Sequence, residues 1–238
     1  MTLDRRTLLV ALAGLPLAAG ARAQGPAGAP ARIGIIGSGR IGGTLGTLWA
    51  KAGHPVLFSS RRPDELAKVV EGAPGARAGT VAEAVAFGDA LLLAVPYRAY
   101  PDIAREHGAA LREKILLDAG NATAARDGAE VAAEVQRDGI GAVSARLLPG
   151  TRLVRAFNSL GSGILAREAG RQEARLAIPI AGDDSGALDA AAALVRDAGF
   201  DPVVVGGLSR AREFQMGGPG YGQIVPASEL RKTLGLTG

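Results

Sequence analysis

Ile33-Gly34-Ile35-Ile36-Gly37-Ser38-Gly39-Arg40-Ile41-Gly42 is the stretch on which the fold turns. A β-branched run leads straight into Gly37-Ser38-Gly39-Arg40-Ile41-Gly42, which matches G-x-G-x-x-G. Leu45, Leu48 and Trp49 follow at helical spacing. Strand, glycine turn and helix in that order predict the opening of a βαβ unit that receives a dinucleotide. Gly37 permits the tight turn, Gly39 lets a pyrophosphate approach backbone N–H groups, and Gly42 lets helix and strand pack closely. The phosphates would then meet the positive end of the helix dipole. In a chain with 35 glycines the motif alone is weak, and its flanks are what give it meaning.

Outward from this turn, short apolar runs alternate with amphipathic segments. Strands are expected at 33–36, 56–59, 90–95, 115–118, 153–157, 176–181 and 202–205. Helices are expected at 41–52, 64–70, 81–87, 100–112, 129–137, 162–169 and 187–198. Several strands are continuously apolar, as in Ala-Leu-Leu-Leu-Ala-Val over 90–95. That is the mark of a sheet covered on both faces. The expected class is α/β: a Rossmann-type, doubly wound, mainly parallel sheet with helices on both faces, forming a single compact domain.

The end of the second strand bears on the choice of nucleotide. An NAD-preferring fold places Asp or Glu there to bond the ribose 2′-hydroxyl. Here the strand runs Val56-Leu57-Phe58-Ser59-Ser60-Arg61-Arg62-Pro63, and no carboxylate occurs before Asp64. Two hydroxyls and two guanidinium groups fill the place, and Arg forks suit a 2′-phosphate. NADP(H) is therefore the expected cofactor, with a solvated basic helix start as the alternative reading.

Residues 1–23 (MTLDRRTLLVALAGLPLAAGARA) read as an address. Arg5-Arg6 precede an apolar run from Leu8 to Ala19, and Ala21-Arg22-Ala23 supplies a small-x-small cleavage site after Ala23. The run falls short of the roughly 18 apolar residues of a membrane span. Asp4-Arg5-Arg6-Thr7-Leu8-Leu9 resembles a twin-arginine signal, so a periplasmic or secreted protein exported already folded is expected; an ordinary secretory signal is the alternative. Residues 24–31 read as a disordered Gly/Pro/Ala linker, 32–216 as the NADP-binding domain, and 217–238 as a C-terminal tail or lid. Removing 1–23 lowers the formal charge from +4 to +2, and aromatics are only 4%. No basic block or stacking platform remains for nucleic acid. The chain has no Cys and two His, which excludes disulfides, thiolate metal sites and a cysteine nucleophile.

These motifs together resemble the coenzyme F420-dependent NADP oxidoreductase family, whose nucleotide domain also occurs in STEAP-type metalloreductases. The resemblance spans about 32–216. It rests on 33–43, Ser60-Arg61-Arg62, Ala94-Val95-Pro96-Tyr97, Val154-Arg155-Ala156-Phe157-Asn158 and Ala181-Gly182-Asp183-Asp184. It implies that Gly37, Ser38, Gly39, Arg40, Ile41 and Gly42 hold the pyrophosphate and that Ser60, Arg61 and Arg62 grip the 2′-phosphate. It also implies that Val95, Pro96 and Tyr97 border the nicotinamide ribose. Relatives commonly read Asn-Pro after the fifth strand, where this chain reads Asp118-Ala119-Gly120-Asn121-Ala122.

The resemblance implies hydride transfer between NADPH and a flavin-like, deazaflavin or other small electron acceptor. Hydride transfer between flat rings needs alignment more than acid–base groups. Accordingly, no catalytic acid, base or metal ligand is identified. Tyr97 and Asn158 follow strands at the carboxyl end of the sheet; each either orients the nicotinamide or a substrate carbonyl, or serves packing (Tyr97) or helix capping (Asn158). His54 and His107 are expected at the surface or as caps, and Asp183-Asp184 as a helix N-cap. Met216 and the glycines after it form a turn or a lid. Expected partners are a small redox acceptor and, as one option, a second copy of the chain; nucleic acid and stable membrane insertion are not expected. Two other functions stand beside this one: a nucleotide-binding module without chemistry, and an imine reductase resembling pyrroline-5-carboxylate reductase.

Overall fold

The computed structural model describes residues 30–236. The first half comprises β1 (Ile33–Ile36), α1 (Arg40–Lys51), β2 (Val56–Ser59), α2 (Ala67–Glu71), β3 (Arg77–Gly79), α3 (Val81–Phe87), β4 (Ala90–Leu93), α4 (Tyr100–Leu111) and β5 (Ile115–Asp118). The second comprises α5 (Ala124–Asp127), α6 (Ala129–Asp138), α7 (Ile140–Leu147), β6 (Arg152–Arg155), α8 (Ser162–Glu168), β7 (Ala177–Gly182), α9 (Ser185–Asp197), β8 (Asp201–Gly206) and α10 (Ala227–Thr233). The expected signal peptide and most of the expected linker lie outside the described residues.

All eight strands join one sheet in the order β3-β2-β1-β4-β5-β6-β7-β8, parallel except for the β6–β7 pair. The order reverses at β1, where β2 lies on one side and β4 on the other. Ligands of open α/β sheets bind at such a switch point, outside the carboxyl ends of the strands. β1, β2 and β4 are buried at every position. Ile33 and Ile35 join a core with Trp49, Phe58 and Phe200, whereas Ile36 joins a second core with Tyr97, Tyr100 and Phe214. Alternation along one strand thus feeds two separate layers, as the sheet's pleat requires. Trp49 anchors α1 to α9 by donating its Nε1–H to the Leu194 carbonyl at 2.7 Å.

The doubly wound α/β class is the one expected, with local departures. The fourth strand stops at Leu93 rather than 95, and the sixth stops at Arg155 rather than 157. Phe157 adopts φ +60°, which no strand can accommodate. The helix expected over 64–70 begins as a 3-10 turn at Pro63–Leu66 before α2. β3 gave no apolar run to read, because Arg77 and Ala78 are exposed on an edge strand. Asp184 does cap α9, accepting from the Ala187 N–H at 2.7 Å. His54 corrects the surface expectation. It is buried, its Nδ1 lies 3.0 Å from the Ala31 carbonyl, and its Nε2 lies 3.1 Å from Asp197.

Candidate nucleotide and acceptor site

The glycine turn is built by close contacts. Gly37 sits at φ +94°, and a Cβ there would lie 2.5 Å from Val95 Cγ1. A Cβ on Gly42 would lie 2.1 Å from the Gly37 carbonyl, so only glycine lets α1 start this near the strand. Gly39 is different: nothing lies within 4 Å of its missing Cβ, and the space above the turn is open. Gly39 is the N-cap of α1 without a side-chain capping bond, and no acidic residue occupies the first turn. Arg40 and Ile41 open the helix there. Bare N–H donors, a helix dipole and an exposed guanidinium together suit a pyrophosphate. Ser38 donates its hydroxyl to the Ser59 carbonyl at 3.0 Å, tying the turn to the end of β2.

At that end, Ser59 is fully buried and donates to the Ile35 carbonyl at 2.6 Å, so its hydroxyl is committed to the sheet. Ser60 is half-buried and accepts from the Arg62 N–H at 3.0 Å. Arg62 pairs with Glu65 at 2.8 Å, both side chains being exposed. Arg61 is exposed and, among the described residues, makes no hydrogen bond or ion pair. The free cation is therefore Arg61.

From the turn a cavity of about 620 Å³ runs over β4 and β5 toward β6. Val95 and Pro96 line it beside Arg40 and Ile41, with Gly120 and Asn121 on the β5 side, Phe157 and Asn158 on the β6 side, and Met216 and Tyr221 beyond. Tyr97 does not line it. Its side chain is 1% exposed, its ring stacks 4.4 Å from Tyr100, and its hydroxyl meets Ser144 at 2.9 Å. Burial, then the Asp118 charge, push its pKa above the ordinary tyrosine value. The expectation that the Tyr97 side chain borders the nicotinamide is thus corrected: an aromatic after Val-Pro fills the core.

Asn158 does line the cavity and is 3% exposed. It caps no helix, since Gly161 is the N-cap of α8. Its Nδ2 donates to the Phe214 carbonyl at 3.1 Å, which fixes the amide's orientation and leaves Oδ1 as a buried acceptor without a partner. An acceptor suits an N–H donor, such as a nicotinamide carboxamide, rather than a substrate carbonyl. Asn121 Nδ2 donates to the Asn158 carbonyl at 2.7 Å and holds this corner together.

Sequence reasoning missed what supports the wall. Asp118 and Arg155 form an ion pair of 2.5 Å between side chains with no exposure. Tyr100 donates its hydroxyl to Asp118, the Gly120 N–H donates to the same carboxylate oxygen at 2.9 Å, and Arg155 Nη2 donates to the Gly120 carbonyl at 2.6 Å. The pair therefore grips both the N–H and the carbonyl of Gly120, the residue before Asn121. Burial opposes the charge on Arg155, but Asp118, Tyr100 and Tyr97 together outweigh it and the guanidinium's pKa is raised. The signal lay in two strand-terminal charges, at 118 and 155, inside otherwise apolar runs.

An eight-stranded Rossmann sheet with an open glycine turn and a carboxylate-free β2 terminus defines a dinucleotide-binding protein of the NADP class. Residues 32–122 match the family described as NADP oxidoreductase, coenzyme F420-dependent. The chain is 29% identical over 196 residues to the metalloreductase STEAP3 of Rattus norvegicus, covering 82% of this chain. It spans only 38% of that relative's length. Among solved structures, a hypothetical protein from Sinorhizobium meliloti shares 26% identity at a TM-score of 0.69, over 83% of this chain and 93% of its own. A structure described as an F420-dependent NADP-reductase of Arthrobacter sp. FB24 shares 21% identity at 0.64, over 78% and 89%, a likeness of fold.

Proposed function

We propose that the chain transfers hydride between NADPH and a flavin-like, deazaflavin or other small electron acceptor. The observation that carries this reading is the run of the cavity across the switch point. It begins at the uncapped helix start beside Arg40 and Ile41 and ends at Asn158 with its orphan Oδ1, while Arg61 stands outside it past the end of β2. When bound, the dinucleotide supplies the hydride, leaving as NADP⁺ while the acceptor takes two electrons and draws its remaining proton from solvent. Arg61, with Ser60 and Arg62 beside it, would hold the 2′-phosphate, and Gly37–Gly42 the pyrophosphate. Asn158 would fix the carboxamide, and Val95 and Pro96 would flank the ribose. Met216 and Tyr221 border the space left for the acceptor ring, on the cavity wall where the segment after 216 begins.

The ionisable side chains on the wall are Arg40, Arg126 and Tyr221. That scarcity of proton donors suits ring-to-ring hydride transfer, and equally favours a binding module without chemistry. Loss of the 340 nm absorbance of NADPH in the presence of flavins, deazaflavins or ferric chelates separates the two. NADPH-selective binding with an inert acceptor panel would leave the module. We further propose twin-arginine export, on the strength of 1–23 alone; fractionation of cells expressing the full chain and an Arg5→Lys/Arg6→Lys variant tests it, and unchanged export of the variant would refute it.

A further inference from the structure

One cation on the cavity wall has no place in the nucleotide scheme. With pyrophosphate at α1 and the 2′-phosphate at Arg61, the adenosine half lies over β2 and the nicotinamide half over β4. Neighbouring strands are about 4.8 Å apart, so the loop after β5 stands a full strand beyond the nicotinamide. Arg126 reaches the cavity from that loop, on α5.

Its guanidinium is held in place. Nε and Nη2 donate to Asp127 Oδ2 at 3.1 and 2.9 Å, and Nη2 also donates to the Asn121 carbonyl. Nη1 makes no hydrogen bond among the described residues, and the side chain remains 45% exposed. Asp127 offsets part of this charge, but its buried carboxylate lies behind the guanidinium and faces the loop, which leaves Nη1 as the group free to meet a ligand. There it also accepts from the Thr123 N–H at 2.8 Å and the Arg98 N–H at 3.1 Å. Arg98 adds its own guanidinium behind the loop, bonded to the Arg126 carbonyl. The cavity wall carries Arg40 and Arg126 and no Asp or Glu. A cleft lined by one sign of charge attracts the opposite sign, and the two N–H donors of Nη1 remain for a phosphate or carboxylate oxygen.

We infer that Arg126 is an anion subsite that selects electron acceptors bearing a phosphate or carboxylate beside their redox ring. The inference rests on the hydride-transfer reading. FMN and riboflavin differ by one phosphate and serve as probes; each is titrated by flavin fluorescence into the full chain saturated with NADP⁺, so that the nucleotide site is already filled. FMN is expected to bind about tenfold or more tightly than riboflavin, as a charge-assisted hydrogen bond implies. Added salt should shrink the preference. Arg126→Met should abolish it while leaving the NADP⁺ affinity within about twofold.

Equal affinity for the two flavins in the wild-type chain, or a preference that survives Arg126→Met, overturns the subsite even if NADPH reduces both. Binding of NADP⁺ with neither flavin bound at millimolar concentration overturns the subsite and the ring-acceptor reading together. Should Arg126→Met not fold, the wild-type comparison and its salt dependence still decide.

Discussion

Replacing Asp118 removes one charge from a pair that has no contact with solvent. Arg155 lies 2.5 Å away, equally buried, and its remaining contact is the Gly120 carbonyl at 2.6 Å. Asp118→Leu would strand that guanidinium in the core, and breaking a buried pair in this way costs about 3–5 kcal/mol. Asp118→Asn keeps the oxygen that Tyr100 and Gly120 address, so its loss should fall at the lower end of that range, about 3 kcal/mol. With a urea dependence of about 3 kcal/mol per M, the unfolding midpoint should drop by about 1 M for Asn and by more for Leu.

The double variant Asp118→Leu/Arg155→Met removes both charges and should recover most of the lost stability, since apolar replacement of a buried pair is often neutral or better. It would no longer grip the Gly120 peptide, however. Titration then separates structure from positioning: NADP⁺ affinity should fall in the double variant, while that of 2′,5′-ADP, which has no nicotinamide, should hold. A Leu variant losing less than about 1 kcal/mol, or a double variant as unstable as the single, would refute the energetic reasoning. Equal losses for both ligands would refute the positioning role.

Arg61→Ala should weaken NADPH binding about tenfold or more and leave NADH unchanged in calorimetric titration, whereas equal losses would contradict its assignment to the 2′-phosphate. Gly42→Ala places a methyl 2.1 Å from the Gly37 carbonyl and should destabilise the fold by about 1–3 kcal/mol while reducing affinity for both nucleotides; normal thermal unfolding and normal binding would show that the turn has slack. Burial acts to raise the Asp127 pKa, but hydrogen bonds from Arg126, Thr123 and Arg98 outweigh it and hold the carboxyl below its ordinary range. A depressed folded-state pKa contributes stability that is complete above the unfolded value near 3.9 and is lost as pH falls through the folded one. The stability gap between the wild type and Asp127→Asn should therefore be constant from pH 7 to about 5 and close below about 4; a gap that persists at pH 2 would contradict the sign.

The sequence disclosed most of the sheet because its strands are short apolar runs set between glycine and proline, and 33–36, 56–59 and 115–118 match the observed strands residue for residue. What it hid depends on partners far along the chain. β3 is a strand only because β2 offers it a ladder, and α10 is held because Leu230 and Leu234 find the sheet's second core. The glycine turn was readable since its demands lie within the motif: Gly37 takes a positive φ, and Gly42 must clear the Gly37 carbonyl. The rest of the site was not local: Asn158 is aimed by a carbonyl at 214, Gly120 is clamped by residues 100, 118 and 155, and Arg126 is presented by the loop it closes. Tyr97 shows the same limit in reverse, since only its neighbours Tyr100 and Ser144 reveal which way its ring points.

The Asn158 corner of the cavity also rests on a strained residue. Phe157 holds φ +60°, a conformation that costs a side-chain-bearing residue about 1–2 kcal/mol. It is kept there by two edge-to-face contacts, with Trp49 at 5.9 Å and Phe200 at 6.1 Å, each worth about 0.5–1.5 kcal/mol beyond its buried area. Glycine at 157 would relieve the strain, yet emptying a buried phenylalanine site costs about 3–5 kcal/mol, so the aromatic residue wins. The left-handed turn ends β6 and brings Asn158 to the Phe214 carbonyl, with Oδ1 left over. A buried acceptor without a partner is itself costly, by about 1–3 kcal/mol. Both costs fall at one corner of the cavity and are held by core packing on the far side of the sheet end. That is the arrangement by which an acceptor is fixed before its ligand arrives, because the ordering has been met by the fold rather than by binding.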